Sequence, residues 1–402
     1  MNRHKVINDP VYGFITINHP LIFNIVQHKF YQRLRRIHQM ALAYLVYPGA
    51  VHTRLHHSLG AYHLMCCAID SLRLKGVEIS VDEEVAAKAA ILLHDVGHGP
   101  FSHALEAELL PGIHHEKLSL YIMQKLNLEF NGALQMAIDI FTNKYPKKFL
   151  SQLVSSQLDV DRMDYLMRDS FFTGVSEGVF GWDRILKMMT VYDNELVMEE
   201  KGIHSIETFL IARRQMYWQV YLHKTVMASE KTLKNIIKRV KYLHAMGIEN
   251  LKTTSVVDYF LFQFDDILND EVLEKFCDFD DVEISYAIKL WSKHDDAVLS
   301  RLCKMILDRN LLKVKLSSQP FSQNLVDEQK QLAKIKLNLN DDEVEYFVFT
   351  GTVKNTMYKA IEEPIKILYK NGTISSIINV DDALIHINNA NTVTKNYLCS
   401  LN

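Results

Sequence analysis

The chain of 402 residues is 48% hydrophobic and carries 45 basic against 48 acidic residues, a formal net charge of −3. That apolar content supports one large domain or two of ordinary size, and the near-balance of charge excludes the global basic field on which non-specific nucleic-acid binding rests. No run reaches the roughly 20 apolar residues needed to span a bilayer; Cys66, Cys67, Cys277, Cys303 and Cys399 lack zinc-type spacing, and MNRHKVINDP does not read as a signal peptide, so a cytoplasmic location away from membranes is expected.

In chain order, period-3.6 patterning dominates the first three quarters. FYQRLRRIHQMALAYLVY places Leu34, Ile37, Met40 and Ala41 on one face ahead of Pro48-Gly49, and reads as helix then turn. HSLGAYHLMCCAIDSLRLKG predicts a helix ending at Gly76. VDEEVAAKAAILLHD opens with Asp82 and Glu83, residues suited to a first turn, and predicts a helix buried nearly all round. It should end just past His94-Asp95, because Gly97, Gly99 and Pro100 bar its continuation. SHALEAELL predicts another helix at once, with further helix over 115–127, in pieces over 132–170, and along 205–244. From about residue 309 the texture changes. LLKVKL and EVEYFVF alternate and predict strands, and PIKILYKNGTISSII carries Asn371-Gly372 between two period-2 runs, a hairpin signal. The expectation is a mainly α core over 1–308 and a smaller α+β region over 309–402, docked on the core because no flexible linker separates them.

The segment LLHDVGHGPFSHALE, 92–106, gathers His94, Asp95, His98 and His103 around two glycines. Adjacent helical residues diverge by about 100°, so a His-Asp doublet at a helix end can turn an imidazole and a carboxylate toward one metal ion. By itself the doublet is equally a packed histidine beside a capping aspartate. His294-Asp295 is the control: it follows polar residues, has no glycine break, and reads as a solvated helix start. Candidate companions flank the first doublet, His57 in HTRLHHSLG and the aspartates of SSQLDVDRMDYLMRD. Charges along an apolar segment are costly unless paired or bound. Asp159, Asp164 and Asp169 could therefore face outward and pair with Arg162 and Arg168.

Five ordered blocks resemble the HD-domain phosphohydrolases, in the branch of the vertebrate SAM-and-HD-domain dNTP triphosphohydrolase and its bacterial relatives. They are KVINDPVYGFI, FYQRLRRIHQMALAYLVYPGAVHTRLHHSLG, HDVGHGPFSH, DVDRMDYLMRD and YLHK, the last at 221–224. Nothing in the sequence looks like a SAM domain. The resemblance implies an HD-domain helical core and a metal set of His57, His94, Asp95 and Asp161, holding Mn, Fe, Ni, Zn or Mg. The ion would lower the pKa of a bound water and hold an α-phosphate oxygen. It places His98, His103 and His115 around the phosphates. His103 is the candidate proton donor to the leaving 5′ oxygen, with Glu106 orienting it.

Arg54, Arg162 and either Arg213 or Lys224 match the phosphate-binding cations, although Arg162 stands where the vertebrate protein has lysine. The sugar is expected against Tyr165 and Tyr221, with Gln39 and Asp169 on the 3′-hydroxyl. Lys5, Asn8, Gln32 and Arg35 match an allosteric nucleotide site between subunits, but its guanine-reading aspartate falls at Gln27 and Leu222 replaces a glutamine near the base. The implied activity is cleavage of a dNTP to deoxynucleoside and inorganic triphosphate by a homo-oligomer, dimer or tetramer, with a possible nucleotide activator. The alternatives are the same site acting on nucleoside monophosphates or other phosphoesters, and a nucleic-acid or nucleotide-binding protein with an inactive metal site; nucleic-acid binding through RLRR and KNIIKRVKYLH is not favoured by the charge balance.

Overall fold

The computed structural model describes residues 5–356, 358, 363–380 and 392–401. It opens with an antiparallel pair that period-3.6 patterning did not announce, strands β1 (Lys5–Asp9) and β2 (Gly13–Ile17). Their turn is tied by the Asp9 carboxylate, which accepts the backbone N–H groups of Val11 and Tyr12, each at 3.0 Å.

The expected helix over FYQRLRRIHQMALAYLVY is corrected. Only Lys29–Gln32 is α-helical, with 3-10 turns at Arg33–Arg36 and Ala43–Leu45. Leu34, Ile37, Met40 and Ala41 are buried as the pattern requires, but Ile37 is extended and His38 bridges to Thr53. The backbone here bonds to distant partners instead of to itself: the Asp281 carboxylate takes the His38 N–H at 2.8 Å.

The next two helices form as predicted. Arg54–Leu74 starts in a capping box between Thr53 and His56. Val81–Leu93 starts in another between Ser80 and Glu83, and each satisfies N–H groups that a helix start leaves open. These two helices pack together, and Val160–Thr173 crosses the first of them. Helices also occupy His115–Glu129, Gln135–Phe141 and Lys148–Val154. The predicted stretch 205–244 divides into Ile203–Met216, a π-turn at Tyr217–Tyr221, and Lys224–Ala245. Between the helical blocks lies an unpredicted hairpin, β3 (Met189–Tyr192) and β4 (Glu195–Glu199), turned by Asp193 and Asn194, both at positive φ.

The C-terminal strands divide between two sheets. β5 (Lys313–Ser317), β6 (Phe349–Thr356) and β9 (Thr392–Ser400) form the antiparallel order β5-β9-β6. β7 (Lys366–Leu368) and β8 (Ile374–Ser376) form the expected hairpin, with Gly372 at φ +82 in its turn. β7 then pairs in parallel with β4. EVEYFVF is not a strand: Asn340 caps a helical turn at Asp341–Val344 in a capping box with Glu343, and β6 begins only at Phe349. Two buried clusters result, one around the first three long helices, the other around Lys224–Ala245, the helices near 281–307 and the β5-β9-β6 sheet. Among the described residues no helix is long and apolar enough to cross a membrane.

Candidate active site

His57 projects from the first long helix, His94 caps the end of the second, Asp95 follows it, and Asp161 sits in the first turn of Val160–Thr173. Three helix ends therefore deliver the four side chains to one point. His57 Nε2 lies 3.0 Å from Asp161 Oδ1, and His94 Nε2 lies 3.4 Å from both Asp161 Oδ1 and Asp95 Oδ1. Asp95 Oδ2 is 3.8 Å from His57 Nε2.

The opposite ring nitrogens are engaged. His57 Nδ1 donates to Asp164 Oδ2 at 2.7 Å and His94 Nδ1 to the Ile91 carbonyl at 2.6 Å. With the protons on Nδ1, both Nε2 lone pairs face the carboxylates, buried and without a hydrogen-bond partner. Two such imidazoles with the Asp161 carboxylate could hold a divalent metal ion, their rings oriented by hydrogen-bonded supports. Without an ion the balance is different: burial pulls the His57 imidazole down, yet Asp161 and Asp164 outweigh it and raise it to about 10, favouring a proton on Nε2 where a cation would otherwise satisfy the same carboxylates. Burial opposes ionisation of Asp161, but His94 and His57 hold it below the usual carboxylate range.

A second cluster adjoins the first. His98 and His115 stack at 3.9 Å between ring centroids, and His103 stands nearly perpendicular to His98 at 4.9 Å. The Glu106 carboxylate accepts from His115 Nδ1 at 2.8 Å and His114 Nδ1 at 3.1 Å, with His103 Nδ1 at 3.7 Å. Burial raises Glu106, but hydrogen bonds from His103 and His115 win and keep it ionised. Burial, aided by the Arg54 charge, pushes His98 well below its ordinary value, so it is a neutral imidazole. The predicted helix SHALEAELL is broken here into a 3-10 turn at Ser102–Ala104 and a short helix at Glu106–Leu109. Phe101 and Ser102 both adopt positive φ, and Asp281 Oδ1 holds the Phe101 N–H at 2.7 Å.

Both clusters open onto a cavity of about 420 Å³. Arg54 reaches it with its guanidinium fixed by Ser102 Oγ at 2.8 Å and by Asp95. Gln39, Tyr165 and Tyr221 line the rest, the tyrosine rings edge-to-face at 6.3 Å. Asp169 lines it too, accepting from Tyr221 OH and His52 Nε2, each at 2.7 Å. Arg162 and Arg213 do not line it: Arg162 donates to Asp159 and the Ser156 carbonyl, and Arg213 is buried beside Gln157. Lys224 is exposed. Of the expected nucleotide-binding quartet, Arg35 donates to Gln32 at 2.7 Å, while Lys5 and Asn8 lie on β1.

The outward placement of Asp159, Asp164 and Asp169 is corrected: all three are buried. Their pairing with Arg162 and Arg168 holds for the first two, inside the protein. Asp164, Ser102 and His52 were missed as site residues. Only the first carried a signal, its position one turn after Asp161.

The HD domain family matches residues 54–169, and the HD associated region family matches 180–265. Uncharacterized protein YwfO of Bacillus subtilis is 36% identical over 77% of this chain and 72% of its own length. The human deoxynucleoside triphosphate triphosphohydrolase SAMHD1 is 29% identical over 79% of this chain, which spans 56% of that protein. A crystal structure of a phosphohydrolase from Bacteroides thetaiotaomicron superposes over all of both chains with a TM-score of 0.94 at 47% identity. Motif order, fold, ligand geometry and relatives agree: the chain belongs to the HD-domain superfamily, with relatives of the SAMHD1 type.

Proposed function

We propose that the protein is a metal-dependent dNTP triphosphohydrolase, cleaving a dNTP to deoxynucleoside and inorganic triphosphate, and that it works as a cytoplasmic homo-oligomer. The observation that carries this reading is the conjunction of the His57, His94, Asp95 and Asp161 set with a histidine-lined cavity that continues between two tyrosines. His57, His94, Asp95 and Asp161 would hold a divalent ion, which would supply Lewis acidity toward water and phosphate oxygens.

The remaining work falls to the chain's own residues. Arg54, pre-set by Ser102 and Asp95, neutralises a phosphate oxygen. His98, neutral and close to His115, donates to the triphosphate without adding charge. His103, its side chain 70% exposed beside Glu106, delivers the proton to the departing 5′ oxygen. The buried Gln39 Oε1 has no hydrogen-bond partner among the described residues and accepts a hydrogen bond from the 3′-hydroxyl, while Tyr165 and Tyr221 flank the sugar. Arg162 and Arg213 support the phosphate end from behind the cavity wall. The described part of 309–402 serves as a region docked on the helical core, and Lys5, Asn8, Gln32 and Arg35 as an allosteric nucleotide site.

The test is incubation of purified protein with Mn²⁺ and each dNTP, singly and mixed, with products separated. Deoxynucleoside plus triphosphate is expected. Asp161→Ala should lose activity and bound metal together, and His103→Ala should keep the metal and lose about a hundredfold to ten-thousandfold in rate. Release of pyrophosphate or phosphate, or full turnover by metal-free Asp161→Ala, would sink the assignment.

A further inference from the structure

A second cavity, of about 590 Å³, lies between the helix Lys148–Val154, strand β4 and residues 363–366. It shares no lining residue with the candidate active site. Its volume falls in the range of small-molecule sites. Ser151 lines it at 6% exposure, with its hydroxyl buried and unpartnered among the described residues. A buried hydroxyl in that condition is uncommon in a native protein and calls for a partner.

The chemistry of that partner follows from which groups are committed. Lys148 and Lys366 both bond to Glu195, and Glu363 accepts from Gln157 Nε2 at 3.1 Å. The two cations and two carboxylates of the lining are thereby occupied. Gln152 Oε1 accepts the Leu196 N–H at 2.7 Å, leaving its amide N–H groups for a ligand beside the hydroxyls of Ser151 and Ser155. One part of the wall is apolar, with Phe141, Leu196 and Met198, while Thr142 and Asn143 add polar groups elsewhere. A polyol alone would leave that wall uncovered, an aromatic alone would leave the hydroxyls unmet, and an anion would have to displace Glu195 from the lysines.

We propose that this cavity binds a neutral nucleoside, its ring against Phe141, Leu196 and Met198 and its sugar hydroxyls on Ser151, Ser155 and Gln152. Binding there reaches the first site through one segment. Residues 155–158 line the cavity, and the same segment holds both arginines assigned to the phosphates: Arg162 Nε donates to the Ser156 carbonyl at 2.6 Å and Arg213 Nη1 to Gln157 Oε1 at 3.4 Å. A ligand pressing on this segment moves the two cations, so it changes KM for the nucleotide rather than kcat. This kinetic consequence rests on the function proposed above; the binding itself does not.

The test is calorimetric titration of the full chain with each of the four 2′-deoxynucleosides. Wild type is compared with Ser151→Leu, which fills the cavity, Ser155→Val, and Gln39→Ala, which alters only the candidate active site. Binding should survive Gln39→Ala and weaken about tenfold or more in Ser151→Leu and Ser155→Val. The nucleoside should shift KM severalfold in wild type, and this shift should be reduced in Ser151→Leu and Ser155→Val. If Ser151→Leu melts early, Ser155→Val carries the comparison. Absence of nucleoside binding, binding lost with Gln39→Ala, or binding of inorganic phosphate in its place overturns the proposal. Cavity-dependent binding with no hydrolysis of any dNTP would uphold it while removing the proposed function.

Discussion

Asp164 lies outside the expected metal set, yet it decides how that set is presented. Its Oδ2 fixes the His57 proton on Nδ1, and both of its oxygens are held by Arg168, which in turn bonds to Asp9 on β1. Asp164→Asn keeps the shape but removes the charge that orients and strengthens the imidazole. It should weaken metal affinity about 10- to 100-fold, measured by metal titration, with the fold retained by circular dichroism. Glu230 offers a second test at this scale. It lines the candidate active-site cavity, forms no ion pair among the described residues, and burial raises its carboxyl to about 7 against the opposing charges of Lys231 and Lys234. Between the ordinary glutamate value and 7 the folded chain holds more protons at this position than the unfolded chain. Stability therefore falls as pH rises through that window. Glu230→Gln should flatten the decline and melt above wild type at pH 8, by up to about 2 kcal/mol once partial exposure is discounted. A wild-type slope retained in the variant would remove Glu230 as its source.

At the scale of elements, the loop after His94-Asp95 depends on one close approach. A Cβ on Gly97 would meet the His115 carbonyl oxygen at 2.2 Å and the Ser119 nitrogen at 2.3 Å, both backbone atoms, and the Gly97 N–H donates to Ser119 Oγ at 2.9 Å. That contact presses the loop onto the first turn of His115–Glu129 and stacks His98 on His115. Gly97→Ala must push the loop and helix apart. It should cost at least about 1–3 kcal/mol by thermal melting and lower activity beyond what the lost stability explains. The helices Arg54–Leu74 and Val81–Leu93 were legible because their signals are local: apolar periodicity, Asp82 and Glu83 in a first turn, and a helix stop at glycine and proline. The segment 29–45 and SHALEAELL were not, because Asp281 and the carbonyl of Phe279 bond to them from more than 170 positions away. The β3–β4 turn at Asp193-Asn194 did carry a local signal, flanked by alternating MTVY and ELVME, which helical patterning on either side obscured.

Over the whole molecule, ion binding should be coupled to stability, since His57, His94 and Asp161 come from three packed helices brought together only by folding. Chelation should lower Tm by a few degrees, and Mn²⁺ should restore it, as expected for a ligand worth about 2.7 kcal/mol at a hundred times its Kd. Asp161→Ala should melt at the same temperature with or without chelator; if it responds like wild type, the ion sits elsewhere. The sequence by itself determined the mainly helical class, the helices over HSLGAYHLMCCAIDSLRLKG and VDEEVAAKAAILLHD, the Asn371-Gly372 hairpin and the family resemblance, because periodicity, turn chemistry and motifs are written locally. It offered an outward face for Asp159, Asp164 and Asp169 and did not show what stands beside His94-Asp95. Only the tertiary structure decided these, since burial and the gathering of His57, His94, Asp95 and Asp161 at one point depend on partners distant in sequence. His57 Nε2 faces Asp161 because Asp164, 107 residues further along the chain, holds the other side of its ring.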